Sequence, residues 1–178
     1  MKTLKLFTAV ALLFVFMSAT AQVNFSGSWT LNAEKSQLAA PGGGGPGGGG
    51  PGGGGGGPMG GGPMVVTQSG NELSVETTRR GFQGGEDTKV VTKYSLDGKQ
   101  TQTSRSTPMG DMVSKHTATW SADKKSLTIV TAMDFDGNEM KTTETWKLGT
   151  DGKSLSIESV RPGFDGGEMK TTRVYDKQ

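Results

Sequence analysis

An arginine and a tyrosine near the end of the chain carry the clearest chemistry in this sequence. Arg173 and Tyr175 are separated by one residue, so in an extended strand both side chains lie on the same face. A guanidinium and a phenol hydroxyl at this spacing can hold a carboxylate through charge-assisted hydrogen bonds. The pair therefore predicts contact with the acidic end of a small molecule.

Glu144 gives Arg173 a second interpretation. The tetrapeptide Met-Lys-Thr-Thr occurs at 140–143 and again at 169–172, so Glu144 and Arg173 occupy equivalent positions in two repeats and are predicted to lie at similar depth. A carboxylate there would repel a ligand's carboxylate, but it would pair with a buried guanidinium, which needs a partner. Ligand contact and structural pairing therefore both stay open for Arg173.

One histidine and four methionines complete the candidate ligand contacts. His116 is the sole histidine, and an isolated inward histidine is more often a hydrogen-bonded core residue than a catalyst. The methionines fall near glycine-rich loops, where flexible thioethers would give an adaptable rim. These four residues are Met112, Met133, Met140 and Met169.

Residues for catalysis or metal binding are scarce. The chain has one histidine and no cysteine, and we expect one inward carboxylate, so paired acid–base chemistry is unsupported. The acidic loops at 134–139 and 164–168 are too short for a twelve-residue calcium loop. No glycine run is followed by the Lys-Ser/Thr of a phosphate loop. We expect a protein that is not an enzyme and binds no metal or cofactor.

The first 21 residues have the features of a cleaved bacterial export signal. Lys2 and Lys5 precede an apolar run at 6–17, and Ala19-Thr20-Ala21 supplies small residues for cleavage. The run is shorter than the roughly 20 residues that span a membrane. Its removal leaves 17 basic and 17 acidic residues, which does not support a nucleic-acid partner. We expect a periplasmic or secreted protein with no membrane span.

A glycine- and proline-rich segment interrupts the remaining chain. Residues 41–63 hold 17 of the 30 glycines and five of the seven prolines, a composition typical of a flexible tether. We therefore predict a disordered insertion at 39–63. Residues 22–38 and 64–178 together have the length of one domain.

Outside that insertion, apolar and polar residues alternate with a period of two, which predicts β-strands. Turn residues such as Asp97-Gly98 and Asp151-Gly152 separate the strands. We predict ten strands and no helix beyond the signal, at 25–31, 64–68, 73–79, 89–96, 100–107, 112–120, 126–133, 139–148, 154–161 and 168–176.

An all-β, single antiparallel up-and-down barrel is the fold that these strands favour. A sheet of ten strands commonly curls, and closure removes its exposed edges. Closure would bring the first strand beside the last. The predicted inner face is apolar at the end with the tight turns, and it holds His116, Glu144 and Arg173 farther along.

The two ends of the chain resemble the calycin superfamily, meaning the lipocalins and the fatty-acid-binding proteins. The resemblance lies in Gly27-Ser28-Trp29 of the first strand and Arg173-Val174-Tyr175 of the last. It implies a ten-stranded barrel in which Arg173 and Tyr175 bind a carboxylate. It also implies a closure motif of Gly27, Trp29 and Arg173, with the basic residue across the indole. The insertion occupies the place of the helical lid in fatty-acid-binding proteins.

Two functions follow as expectations. The first is an exported, monomeric, lipocalin-like protein that binds a small hydrophobic or amphipathic ligand. The second is a non-catalytic envelope or matrix protein whose barrel is a spacer and whose glycine- and proline-rich tether contacts an envelope or extracellular partner.

Overall fold

The structure is a computed structural model that describes residues 22–38, 62–79, 87–107, 110–135, 138–163 and 166–178. The predicted signal at 1–21 and most of the predicted insertion, 39–61, lie outside these residues. Within them the chain forms ten strands and no helix. The strands are β1 (Gly27–Gln37), β2 (Met64–Ser69), β3 (Glu72–Arg79), β4 (Thr88–Ser95), β5 (Thr101–Thr107), β6 (Gly110–Trp120), β7 (Ser126–Phe135), β8 (Asn138–Leu148), β9 (Ser154–Pro162) and β10 (Glu168–Lys177).

The strands form one antiparallel sheet in the order β4-β3-β2-β1-β10-β9-β8-β7-β6-β5. The first strand pairs with the last, with Trp29 opposite Lys177 and Leu31 opposite Tyr175. The predicted closure of the first strand onto the last is therefore confirmed. The predicted all-β, ten-stranded fold is confirmed too, and β2 to β10 begin and end within two residues of the predicted bounds.

β4 and β5 are the two edge strands of the sheet, and no backbone ladder joins them. The Thr101 hydroxyl donates a hydrogen bond to the Lys93 carbonyl at 2.9 Å. Beside it, the rings of Tyr94 and His116 lie edge to face with centroids 5.2 Å apart. The sheet is thus a nearly closed barrel, and side chains bridge the seam between β4 and β5.

Three of the tight turns contain the same aspartate-to-backbone hydrogen bond. The carboxylates of Asp97, Asp123 and Asp151 each accept a hydrogen bond from the backbone N–H two residues later, at 2.9–3.1 Å. This side-chain bond closes the turn locally. Four tight connections, all at one end of the barrel, join β2–β3, β4–β5, β6–β7 and β8–β9.

Phe25 closes the barrel at this turn end. Its side chain is fully buried, stacks on Trp120 at 5.7 Å and meets Trp146 edge to face at 5.7 Å. Gln68 holds the backbone in place, because its side chain accepts from Phe25 N and donates to the Val23 carbonyl, each at 3.0 Å. We call Phe25, Trp29, Trp120 and Trp146 the aromatic floor.

The position of Phe25 corrects the predicted start of the first strand. That strand was expected at 25–31, but β1 begins at Gly27 and continues to Gln37. The physical reason is that Gln68 takes the Phe25 N–H, so the chain crosses beneath the barrel before it enters the sheet. The alternation of apolar and polar residues predicts only that Phe25 points inward. A residue in the first strand and a residue in a segment that crosses the end of the barrel would both satisfy it.

The closure motif also differs from the one implied by the resemblance. Arg173 was expected over the Trp29 indole, but the Lys177 amine lies there instead, 5.4 Å from the ring centroid. The register explains this, since Trp29 is opposite Lys177. A Cβ on Gly27, whose φ is 154°, would lie 2.7 Å from Lys177 Cε. Gly27 and Trp29 therefore belong to the closure, with Lys177 as the cation, a contact of about 0.5–1 kcal/mol.

Replacing Phe25 with alanine tests the aromatic floor. We expect Phe25→Ala to lower the free energy of unfolding by about 3–5 kcal/mol, because it removes a fully buried ring that packs on Trp120 and Trp146. Val91→Ala on the outer wall, where Val91 is 47% exposed, should change it by less than about 0.5 kcal/mol. Urea unfolding followed by tryptophan fluorescence measures both. Equal effects of the two substitutions would contradict the floor.

Candidate functional site

A layer of polar side chains lies above the aromatic floor inside the barrel. Six of its members are at most 7% exposed, and they come from six different strands. With Arg173 of β10 they form what we call the polar layer. Its buried members are Thr77, Thr92, His116, Thr131, Glu144 and Ser159.

Glu144 and Arg173 face each other across the strand between them. Glu144 on β8 lies opposite Ser159 of β9, and Arg173 on β10 lies opposite Ile157 of the same strand. The guanidinium Nη2 is 3.8 Å from the carboxylate Oε1, and the two side chains are 16% and 10% exposed. The structure therefore brings together the two charges that the repeat placed at similar depth.

Burial dominates the electrostatics of this pair. It raises the pKa of the Glu144 carboxyl, while the Arg173 charge and the Trp146 indole oppose the rise. Burial also raises the pKa of the Tyr175 hydroxyl, and Arg173 again opposes the rise. The pKa of Tyr94 is raised by burial and then by the Glu144 charge. Both tyrosines are therefore neutral hydrogen-bonding groups at ordinary pH.

Two buried donors flank the pair without a completed hydrogen bond. Among the described residues, the Trp146 indole N–H and the Tyr175 hydroxyl are buried and have no hydrogen-bond partner. Trp146 is close enough to Glu144, and Arg173 to Tyr175, to lower the partner's pKa, but neither contact has hydrogen-bonding geometry. Such atoms are costly to bury unless a water or a ligand satisfies them.

His116 anchors the opposite side of the polar layer. Its Nδ1 is 3.0 Å from the Thr131 hydroxyl, and its ring lies against Tyr94 across the seam. Nε2 is buried and has no partner among the described residues. Burial lowers the pKa of this histidine, so its neutral form is favoured. The expectation of a hydrogen-bonded core histidine agrees with the Thr131 contact.

A bulge in β1 shapes the wall beside Arg173. The ladder between β1 and β10 passes from Asn32 opposite Val174 to Gln37 opposite Thr172, so three extra residues stand on the β1 side. The Ser36 hydroxyl fills the gap, accepting from Val174 N at 2.9 Å and donating to the Asn32 carbonyl at 2.6 Å. The strand position facing Arg173 is therefore a side-chain-bridged bulge.

The four candidate methionines lie above the polar layer. Met133 and Met140 are direct cross-strand partners on β7 and β8. On the other side of β7, Met133 is opposite Ser114 of β6. Met112 precedes Ser114 by two residues and is therefore closer to the open end. Met169 lies on β10, separated from this group by β9. Met140 is 39% exposed, because the ladder between β8 and β9 ends at Thr143 and Val160. We call this region the mouth.

The inner face of the barrel continues above the polar layer. Glu144 and Met140 are four residues apart on β8, which corresponds to about 13 Å along the strand at roughly 3.3 Å per residue. Between the methionines, the inner face carries the half-buried side chains of Ser114, Thr142 and Thr171. The loops at this end, including the central residues of the predicted acidic loops, lie outside the described residues.

Sequence reasoning found the charged pair but missed several parts of the site. No sequence signal marked Trp146, Tyr94 and Ser159 as neighbours of Glu144. The Ser36 bulge had no sequence signal at all. Alternation within each strand cannot show which side chains of different strands meet.

Neither a metal centre nor a membrane-spanning helix is found in the described ranges. No group of three or more His, Cys, Asp or Glu side chains there could hold a metal ion. No helix in the same ranges has the length and hydropathy needed to cross a membrane.

Comparison with known proteins yields one structural likeness. No protein-family model matches the sequence, and no curated protein matches it significantly. Among solved structures, the chain is similar to zebrafish ileal bile acid-binding protein complexed with cholic acid. The TM-score is 0.41 and the identity 18%, covering 65% of this chain and 72% of that chain. The fold assignment rests on the strand order and ladders described above.

The pKa of His116 can be measured directly because the chain has one histidine. We expect NMR titration to give a value below 6.5, since burial disfavours the charged ring. The unfolded chain then binds this proton first, so stability is lost as the pH falls from about 6.5 towards the folded pKa. His116→Gln should lack this part of the pH dependence. A titration at or above 6.5 would contradict the burial.

Proposed function

We propose that the barrel binds one small amphipathic molecule in the mouth, with the molecule's polar end at the polar layer. The observation that carries this proposal is the pair of buried donors without partners among the described residues, Trp146 Nε1 and Tyr175 OH. These residues follow Glu144 on β8 and Arg173 on β10 by two positions. A ligand's polar atom at this depth would satisfy them.

The distribution of side chains supports the proposed orientation of the ligand. Within the aromatic floor, Phe25, Trp29 and Trp146 are at most 1% exposed and Trp120 is partly buried, so the lower half of the barrel has no place for an apolar tail. The mouth has partly exposed methionines and small hydroxyl residues instead. Flexible thioethers adapt to differently shaped apolar groups, so the tail would lie among them and extend towards the open end.

We further propose that this binding takes place outside the cytoplasm. The basic residues, short apolar run and small-residue site at the start of the chain support export. The absence of cysteine means that the exported barrel needs no disulfide. We propose that the protein acts as a monomer.

Two adjacent threonines on β8 give a matched test. Thr142 shares the inner face with Glu144, whereas the next residue, Thr143, lies on the outer face. Thr142→Phe should block the mouth and weaken binding of the neutral fluorescent probe Nile red by at least tenfold. Thr143→Phe should leave the affinity within about twofold, as measured by fluorescence titration.

Three outcomes of this titration are informative. Loss of binding in Thr142→Phe alone supports the mouth as the site. If both variants lose affinity equally, or if neither loses affinity, the probe binds elsewhere and the proposal is contradicted. No saturable binding of Nile red to the unaltered protein, together with none by a panel of lipid probes, would overturn it and favour the envelope-spacer function.

A further inference from the structure

We propose that the polar layer selects a neutral, oxygen-bearing head group, such as an alcohol or a primary amide, and admits a carboxylate only with uptake of a proton by Glu144. This inference rests on the ligand-binding function proposed above and specifies the polar end of the ligand. It departs from the carboxylate contact that Arg173 and Tyr175 alone would predict.

The first argument is the charge of the site. Glu144 and Arg173 lie 3.8 Å apart with little exposure, so together they contribute no net charge when both are ionised. A bound carboxylate would add an uncompensated negative charge beside Glu144 at a depth where the surrounding side chains are buried from water. Burial of an unpaired charge is strongly unfavourable, whereas a neutral head group leaves the balance unchanged.

The second argument is the hydrogen-bonding capacity around the pair. The Trp146 indole is a donor only, and the Tyr175 hydroxyl can donate or accept. Both are buried without a partner among the described residues. A hydroxyl or a primary amide has an oxygen that accepts from the indole and an N–H or O–H that can donate to Tyr175. A neutral head group therefore satisfies both atoms.

A carboxylate can enter only by a change of partners. Arg173 would exchange Glu144 for the ligand's carboxylate, and Glu144 would take one proton from solvent, so that each carboxylate bound removes one proton from solution. The other described titratable groups facing this layer are Tyr94 on β4, His116 on β6 and Tyr175 on β10. Arg161, two residues from Ser159 on the same face of β9 and opposite Met169, is a charged group at the mouth. The tyrosines are already protonated, so His116 is the one competing site for the proton.

Three ligands that share a ten-carbon chain test the head-group preference. Decan-1-ol, decanamide and decanoate differ only at the polar end, and isothermal titration calorimetry of the full protein at pH 7.5 gives their affinities. We expect the alcohol and the amide to bind at least tenfold more tightly than decanoate. Titrations in buffers of different ionisation enthalpy should show about one proton taken up per decanoate and none for the other two ligands.

Substitution of Glu144 identifies the group that takes the proton. Glu144→Gln keeps the side-chain shape and removes the charge, so decanoate should bind at least tenfold more tightly than to the unaltered protein, without proton uptake. Affinity for decan-1-ol should change by less than about threefold. The control is Glu158→Gln, since Glu158 is exposed on the outer face and pairs with Lys147 at 3.4 Å. It should leave all three affinities unchanged.

Failure of this inference is distinguishable from failure of the proposed function. Decanoate that binds as tightly as decan-1-ol without proton uptake would overturn the inference while leaving ligand binding intact. Proton uptake that persists in Glu144→Gln and disappears in His116→Gln would also overturn it. Absence of binding by all three ligands would overturn the proposed function itself. If Glu144→Gln fails to fold, the head-group ranking and proton count of the unaltered protein still decide.

Discussion

Pairing of β1 with β10 is the constraint on which the rest of this structure depends. It joins residues near the two ends of the chain, and Asn32 hydrogen-bonds to Asp176 across 144 positions at 2.6 Å. Eight strands then continue outward from this central pair, five on the side that ends with β5 and three on the side that ends with β4. The same pairing sets Trp29 beneath Lys177 and brings Tyr175 to the polar layer. The register between β1 and β10 therefore positions the aromatic floor, the closure motif and the polar layer together.

The regular part of this fold was predictable because its signals are local. Alternation along each strand and glycine or aspartate at each tight turn depend on neighbours in sequence, and β2 to β10 follow them closely. The departures arise from side chains that bond to distant backbone. Gln68 holds Phe25 beneath the barrel, and Ser36 replaces a ladder contact to Val174. No short-range pattern encodes these bonds, so the start of β1 and its bulge were not predicted.

In the candidate site, too, the features that local sequence patterns encode were predicted, and those that depend on contacts between strands were not. The repeated tetrapeptide before Glu144 and Arg173 placed the two charges at one depth, and they lie 3.8 Å apart. The flanking Trp146 and Tyr175 atoms were recognisable as inward but not as unsatisfied, since satisfaction depends on rotamers and on the strand between them. The cation of the closure was assigned to Arg173 because of motif likeness, whereas register gives it to Lys177.

The seam between β4 and β5 is the part of this barrel wall that no backbone ladder fixes. In a fully laddered barrel, strand number and stagger together determine the diameter. Among the described residues, a hydroxyl-to-carbonyl bond and a pair of rings span the last gap. Separation of β4 from β5 would break these contacts while every backbone ladder stays intact. His116 would respond to that separation because it belongs both to the seam and to the polar layer.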